Sequence, residues 1–202
     1  WHLLVRAAGA TQRLSHDWKV YNIGIFLGLI TPGKLGEFGR AGYLKKVGVQ
    51  TGTAVAVVLV DRVFDVAVVA LFSLLALQIL FGGSWLVGGL IVGMVVLAAI
   101  GGVLWHMHRL PMKKEWIAFL TTLGTRVPLL LGSLFLTFLS WAIYCVWSVT
   151  LAYSVGIQAS FLPLMSAVML TGIVAFLPVA PSGLGTRDAS LVWLLAPLGI
   201  GA

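Results

Sequence analysis

The chain has 202 residues, 60% of them hydrophobic and only 9% charged, with eight Trp, ten Phe and a mean hydropathy of +1.06. Soluble domains carry roughly 45–50% apolar and about 25% charged residues, so this composition excludes an ordinary water-soluble enzyme and requires a bilayer as solvent. The net charge of +7 comes from 13 Lys and Arg scattered between apolar runs; that is the pattern of loop anchors obeying the positive-inside bias, and nucleic acid is excluded as a partner.

A spanning helix needs about 20 apolar residues, so run length predicts the elements. The fold class is all-α, a polytopic α-helical membrane protein with one transmembrane domain over residues 1–202. The chain opens on Trp1 and closes on Gly201-Ala202 within an apolar stretch, and is read as part of a longer membrane protein. A first broken element is expected over 20–46. Its apolar run, Val20 to Thr31, gives only about 18 Å of helix before Pro32-Gly33 closes it. Spans are predicted over 51–81, 85–105 and 129–153, the first two joined by Gly82-Gly83-Ser84. A second broken element is expected over 161–202, its apolar run closed by Pro181-Ser182-Gly183.

The basic stretches 34–50 (Lys34, Arg40, Lys45, Lys46) and 106–126 (Arg109, Lys113, Lys114, Arg126) bracket a two-span excursion. They therefore share one face, which the positive-inside rule makes the cytoplasmic side of the cell membrane. The lone Cys145 sits in an apolar run and offers no disulfide. His106 and His108 lack further ligands, so neither a metal nor a cofactor is expected. The Gly-x-x-x-Gly spacings at Gly24/Gly28 and Gly89/Gly93 suit generic close packing of helices.

Two interruptions match. Pro32-Gly33-Lys34-Leu35-Gly36-Glu37-Phe38-Gly39-Arg40 follows the first apolar run, and Pro181-Ser182-Gly183-Leu184-Gly185-Thr186-Arg187-Asp188 follows the last. Paired Pro/Gly-broken hydrophobic segments in corresponding places point to a transporter site built from broken helices, here an inverted pair of re-entrant elements. Proline ends the helix, glycine permits the reversal, and the freed backbone groups must line a cavity or be covered by protein. Helices restarting after Gly36 and Gly185 would cradle an anionic headgroup with their N–H groups, and Arg40 and Arg187 would add charge-assisted bonds. The plainer alternative is two surface loops, with Glu37 pairing Arg40 and Asp188 favouring its helix N-terminus.

A second cluster, Asp61-Arg62-Val63-Phe64-Asp65, puts both aspartates on one helix face and Arg62 within reach of Asp65. A single charge at a bilayer's centre costs about 2.5–3.5 kcal/mol even on a lenient scale, so the trio does not face lipid. It is either an ion-pair scaffold or an ionisable group on a pathway. Glu37, Arg40, Asp61, Arg62, Asp65, Arg187 and Asp188 are thus the candidate substrate-binding residues, with Pro32, Gly33, Gly36, Pro181, Ser182, Gly183 and Gly185 as helix-break and headgroup-cradling positions. No catalytic constellation is present.

These strings resemble the lysylphosphatidylglycerol synthase transmembrane or flippase-like family, which carries a PGxxGExxR-type segment, an acidic-Arg pair with a downstream Asp, and a PSGxG-type turn followed by Arg and an acidic residue. Asp61 and Asp188 stand where the family frequently has Glu. The resemblance implies re-entrant helices around a lipid-accessible cavity and translocation of an anionic, aminoacylated or polyprenyl-linked lipid across the cytoplasmic membrane. Some relatives add a cytosolic aminoacyl-transferase domain, which has no counterpart in these residues; others are linked to polyprenyl-phosphate sugar transfer. The alternatives are a membrane-embedded transferase using Asp61, Glu37 or Asp188 as a base, and a scaffold for a separate lipid synthase. Oligomeric state stays open.

Overall fold

The computed structural model describes residues 1–31, 34–81, 89, 93, 113–174 and 183–196. Among these, every regular element is helical: α1 (His2–Ala7), α2 (Leu14–Ile30), a 3-10 turn (Leu35–Phe38) running into α3 (Gly39–Lys46), α4 (Thr51–Phe81), α5 (Lys113–Thr125), α6 (Val127–Ser154), α7 (Phe161–Val174) and α8 (Thr186–Leu195). The all-α expectation holds for them. The predicted span 85–105, the Gly82-Gly83-Ser84 turn and the His106/His108 pair lie outside the described residues.

Two helices, α4 and α6, are long and apolar enough to cross a bilayer. Their most apolar windows are only 28% and 11% buried within the protein, which separates them from the core helix of a soluble domain. On α6, Leu131, Phe135, Leu136, Ile143, Val146 and Trp147 are exposed. Each such side chain left in water forgoes roughly 1.5–3 kcal/mol of burial, so lipid is the solvent that suits this face.

Two boundaries differ from the sequence reading. The helix of the first broken element, α2, starts at Leu14, not Val20, and its 17 residues give about 25 Å of rise, still short of a bilayer core. The polar turn Ser15–Lys19 is helical because Asp17 is 1% exposed, with His2 Nδ1 of α1 2.5 Å from its Oδ2. The basic stretch 106–126 is not simply a loop either. Its described part is α5, which buries Trp116, Phe119 and Leu123 against α1 and the start of α4. Glu115 then caps α4: the Gly52 N–H donates to its Oε2 at 2.6 Å, placing a carboxylate at the positive end of the helix.

Helix α4 organises the whole. Its early residues Ala54, Ala56, Val57 and Val58 pack with α1, α3 and α5 in one apolar core. Its later residues Val68, Phe72 and Ala76 join Cys145 of α6 and Val168 and Met169 of α7 in a second. Helices α4 and α7 run in opposite directions. Ser73 donates to the Met169 carbonyl (3.4 Å), while Val69, a turn earlier, lies over Gly172, a turn later. Asp61, Arg62 and Asp65 sit on α4 between the two cores.

Candidate functional site

The first broken segment is a helical hairpin. Thr31 Oγ1 donates to the Leu27 carbonyl (2.8 Å) and accepts the Gly36 N–H (2.7 Å), turning the chain at the end of α2. Lys34 takes a left-handed conformation with φ 56°, uncommon for a residue with a side chain, and its carbonyl accepts the Glu37 N–H. A Cβ on Gly36 would run into the Leu27 carbonyl, so glycine is required for the turn to lie on α2. The Gly36 N–H, expected to cradle a headgroup, is engaged by the Thr31 hydroxyl. The chain then returns along α2, where the Gly24/Gly28 spacing receives the Arg40 and Glu37 side chains. This Gly-x-x-x-Gly serves packing inside the chain, and its occupant is an ion pair.

That pair is part of a five-residue cluster. Arg40 Nη2 lies 2.7 Å from Glu37 Oε2, and Arg40 Nη1 stands 3.0 Å from Asp61 Oδ2, close enough for an ion pair although its N–H is not aimed for a hydrogen bond. Arg62 reaches three carboxylates: Glu37 Oε2 at 2.9 Å, Asp61 Oδ2 at 2.9 Å and Asp65 Oδ2 at 2.6 Å. The other oxygen of Asp65 accepts the Trp141 Nε1–H of α6 at 3.2 Å. Arg40 is wholly buried, with its guanidinium over the rings of Trp1 (4.5 Å) and Tyr21 (5.2 Å). Carboxylates meeting guanidiniums in this way satisfy the desolvation that burial imposes on each.

Beside the cluster lies a cavity of about 290 Å³. Lys34, Glu37, Arg62, Asp65 and Arg187 supply its charged lining, and Tyr21, Ser140, Trp141, Tyr144 and Thr171 line it as well. Residues of both broken segments, Lys34 with Glu37 and Arg187, therefore face one space. Asp65 is midway along the 31-residue α4 and Trp141 midway along the 28-residue α6, so the cavity sits at the middle of both helices.

Of the predicted substrate-binding residues, Glu37, Arg62, Asp65 and Arg187 line this cavity. Arg40 and Asp61 are buried behind them, holding Glu37 and Arg62. Asp188 turns away: its carboxylate accepts the Gly185 N–H (3.3 Å) and caps α8, as the plainer alternative had it. Gly183 supplies its carbonyl to the Arg187 N–H (2.8 Å), and Gly185 takes φ 78° in the turn into α8. Pro32, Gly33, Pro181 and Ser182 lie outside the described residues. Sequence reasoning missed Lys34, taken for a loop anchor, and the aromatic wall of Tyr21, Trp141 and Tyr144. A Ser140-Trp141-x-x-Tyr144 string in mid-span was the available signal, since hydroxyl and indole groups there need partners.

Over residues 1–202 the sequence matches the family described as Lysylphosphatidylglycerol synthase TM region, and the chain belongs to that family. No curated protein and no solved structure matches it. The chain is therefore a membrane domain of a family named for lipid synthesis.

Proposed function

We propose that this lysylphosphatidylglycerol synthase membrane region is a lipid translocase of flippase type, passing an anionic, aminoacylated or polyprenyl-linked headgroup across the cytoplasmic membrane through the cavity beside Arg62. The observation that carries the reading is the shared lining: Lys34 and Glu37 from one broken segment and Arg187 from the other face one space at mid-length of two lipid-compatible helices. Such a space lets a headgroup shed water while charged groups replace its hydration, and the exposed apolar faces leave the acyl chains in lipid. In this reading the two broken segments form an inverted re-entrant pair, with the basic stretches 34–50 and 106–126 on the cytoplasmic side.

The transferase alternative is the weaker one. Glu37 and Asp61 are each engaged by arginine side chains and Asp188 by the Gly185 N–H, so each candidate base would have to give up a partner before it could take a proton. Purified protein in liposomes is expected to move a labelled lipid between leaflets, and Arg187→Ala to suppress this without lowering insertion. Release of a transferred group from a polyprenyl-linked donor with no lipid movement would favour the transferase. Unchanged movement in Arg187→Ala would remove the cavity from the mechanism.

A further inference from the structure

The cavity wall carries a second kind of chemistry besides its charges. Four hydroxyl-bearing residues line it: Tyr21 of α2, Ser140 and Tyr144 of α6, and Thr171 of α7. They come from three helices and meet one space. On α6, Leu136, Leu139, Ile143, Val146 and Trp147 are exposed apolar side chains that suit lipid, whereas Ser140 and Tyr144, one turn apart, line the cavity. The two phenol rings are held in place. The Tyr21 ring lies 5.2 Å from the Arg40 guanidinium, and Tyr144 meets Trp141 edge to face with 5.6 Å between centroids. Trp141 is fixed in turn by its N–H, which donates to Asp65.

Thr171 donates its proton to the Val168 carbonyl (2.7 Å), which leaves its oxygen as an acceptor. Among the described residues the hydroxyls of Tyr21, Ser140 and Tyr144 have no hydrogen-bond partner, while Thr137 and Thr150, on the same helix as Ser140, donate to carbonyls of that helix. A rotating hydroxyl both donates and accepts, so this wall matches a ligand that does the same at several neighbouring points. Water serves such a wall, and a headgroup that displaces it must restore the bonds or lose affinity. A bare phosphodiester only accepts, an ammonium only donates, and a quaternary amine does neither; a polyol does both at every oxygen. The volume of about 290 Å³ is at the lower end for small-molecule sites, which suits a polyol of a few carbons rather than an oligosaccharide.

We propose that Tyr21, Ser140 and Tyr144 are specificity-determining residues that read the free hydroxyls of a small polyol headgroup. The proposal deepens the translocase reading and rests on the same cavity. Its test is binding, read separately from movement, with two lipids of equal charge and nearly equal size: phosphatidylglycerol, and phosphatidylpropanol, which lacks both free hydroxyls of the glycerol headgroup. Native mass spectrometry of the purified full chain is run with the two in equimolar amounts. Phosphatidylglycerol should be retained about tenfold over phosphatidylpropanol, a ratio that one or two well-made hydrogen bonds supply. Tyr21→Phe combined with Tyr144→Phe keeps both rings and should bring the ratio near one, by weakening retention of phosphatidylglycerol and not of phosphatidylpropanol. Ser140→Ala should lower it in part. Tyr153→Phe, whose hydroxyl donates to the Ala159 carbonyl near the C-terminal end of α6, should leave it unchanged. Equal retention of the two lipids by the wild-type protein, a preference for phosphatidylpropanol, a ratio that survives the double variant, or an equal loss in Tyr153→Phe would overturn the proposal. Selective retention without lipid movement in liposomes would instead keep the hydroxyl recognition and remove the translocase reading.

Discussion

Gly24 and Arg40 compete for the same space. A Cβ on Gly24 would stand 2.5 Å from Arg40 Cγ and 2.8 Å from its Nε, and one turn on a Cβ at Gly28 would stand 2.6 Å from Glu37 Cγ. The groove that glycine leaves on α2 is what lets the hairpin bring its ion pair against α4. Gly24→Ala and Gly28→Ala are therefore expected to destabilise the protein by ~1–3 kcal/mol, the usual range for overpacking. The sign is informative, since alanine ordinarily gains about 1 kcal/mol over glycine within a helix. Gly42→Ala on α3, with nothing within 4 Å of its Cβ position, should be neutral or stabilising. Melting temperatures of the three variants in one detergent check the contrast.

Arg40 is wholly buried and faces Glu37 and Asp61. Removing it leaves three carboxylates to share the single charge of Arg62, so Arg40→Ala is expected to cost about 3–5 kcal/mol. Arg40→Met combined with Glu37→Gln should recover part of the loss, because the stranded charge is then removed as well. A double variant no more stable than Arg40→Ala would show that the guanidinium acts through packing on Trp1 and Tyr21 rather than through its charge.

Glu115 lies far along the sequence from the cavity residues but holds the start of α4 through the Gly52 N–H. Glu115→Ala should lower stability by ~0.5–2 kcal/mol, as lost helix caps do. Lipid movement measured below the variant's melting point should keep the wild-type rate. A fall in rate without a fall in stability would mean that the end of α4 takes part in transport.

Neighbouring residues on α8 should separate cleanly. Asp188 caps its helix, so Asp188→Ala is expected to cost about 1 kcal/mol and leave lipid movement intact. Arg187 lines the cavity, so Arg187→Ala should leave stability nearly unchanged and suppress movement. Paired thermal and liposome measurements on both variants decide this, and the reverse pattern would exchange the two roles.

How much of this was readable beforehand follows from where charge is scarce. In a chain with 9% charged residues, a carboxylate or guanidinium inside an apolar run stands out, and Glu37, Arg40, Asp61, Arg62 and Asp65 do form one cluster. Sequence spacing foretold the pairs of Arg40 with Glu37 and Arg62 with Asp65, both three residues apart. It carried no information on the contacts of Arg62 with Glu37 and of Arg40 with Asp61, which depend on the hairpin returning along α2. Lys34 was hidden by its basic neighbours, and Trp141 and Tyr144 by a span in which aromatic residues usually meet lipid. The start of α2 was hidden because the His2–Asp17 contact makes a polar turn buried, a tertiary effect that hydropathy does not register.

The most direct test of the central claim joins the two broken segments across the cavity. Lys34 and Arg187 both line it, so Lys34→Cys with Arg187→Gln compared against Lys34→Cys with Arg187→Cys, each with Cys145→Ala, isolates the bridge from the loss of charge. A bifunctional thiol reagent with a reducible linker, applied to both in liposomes, should stop the residual lipid movement of the double-cysteine protein alone, and reduction should restore it. Unaltered lipid movement through a protein shown by mass to be fully bridged between 34 and 187 would contradict the account.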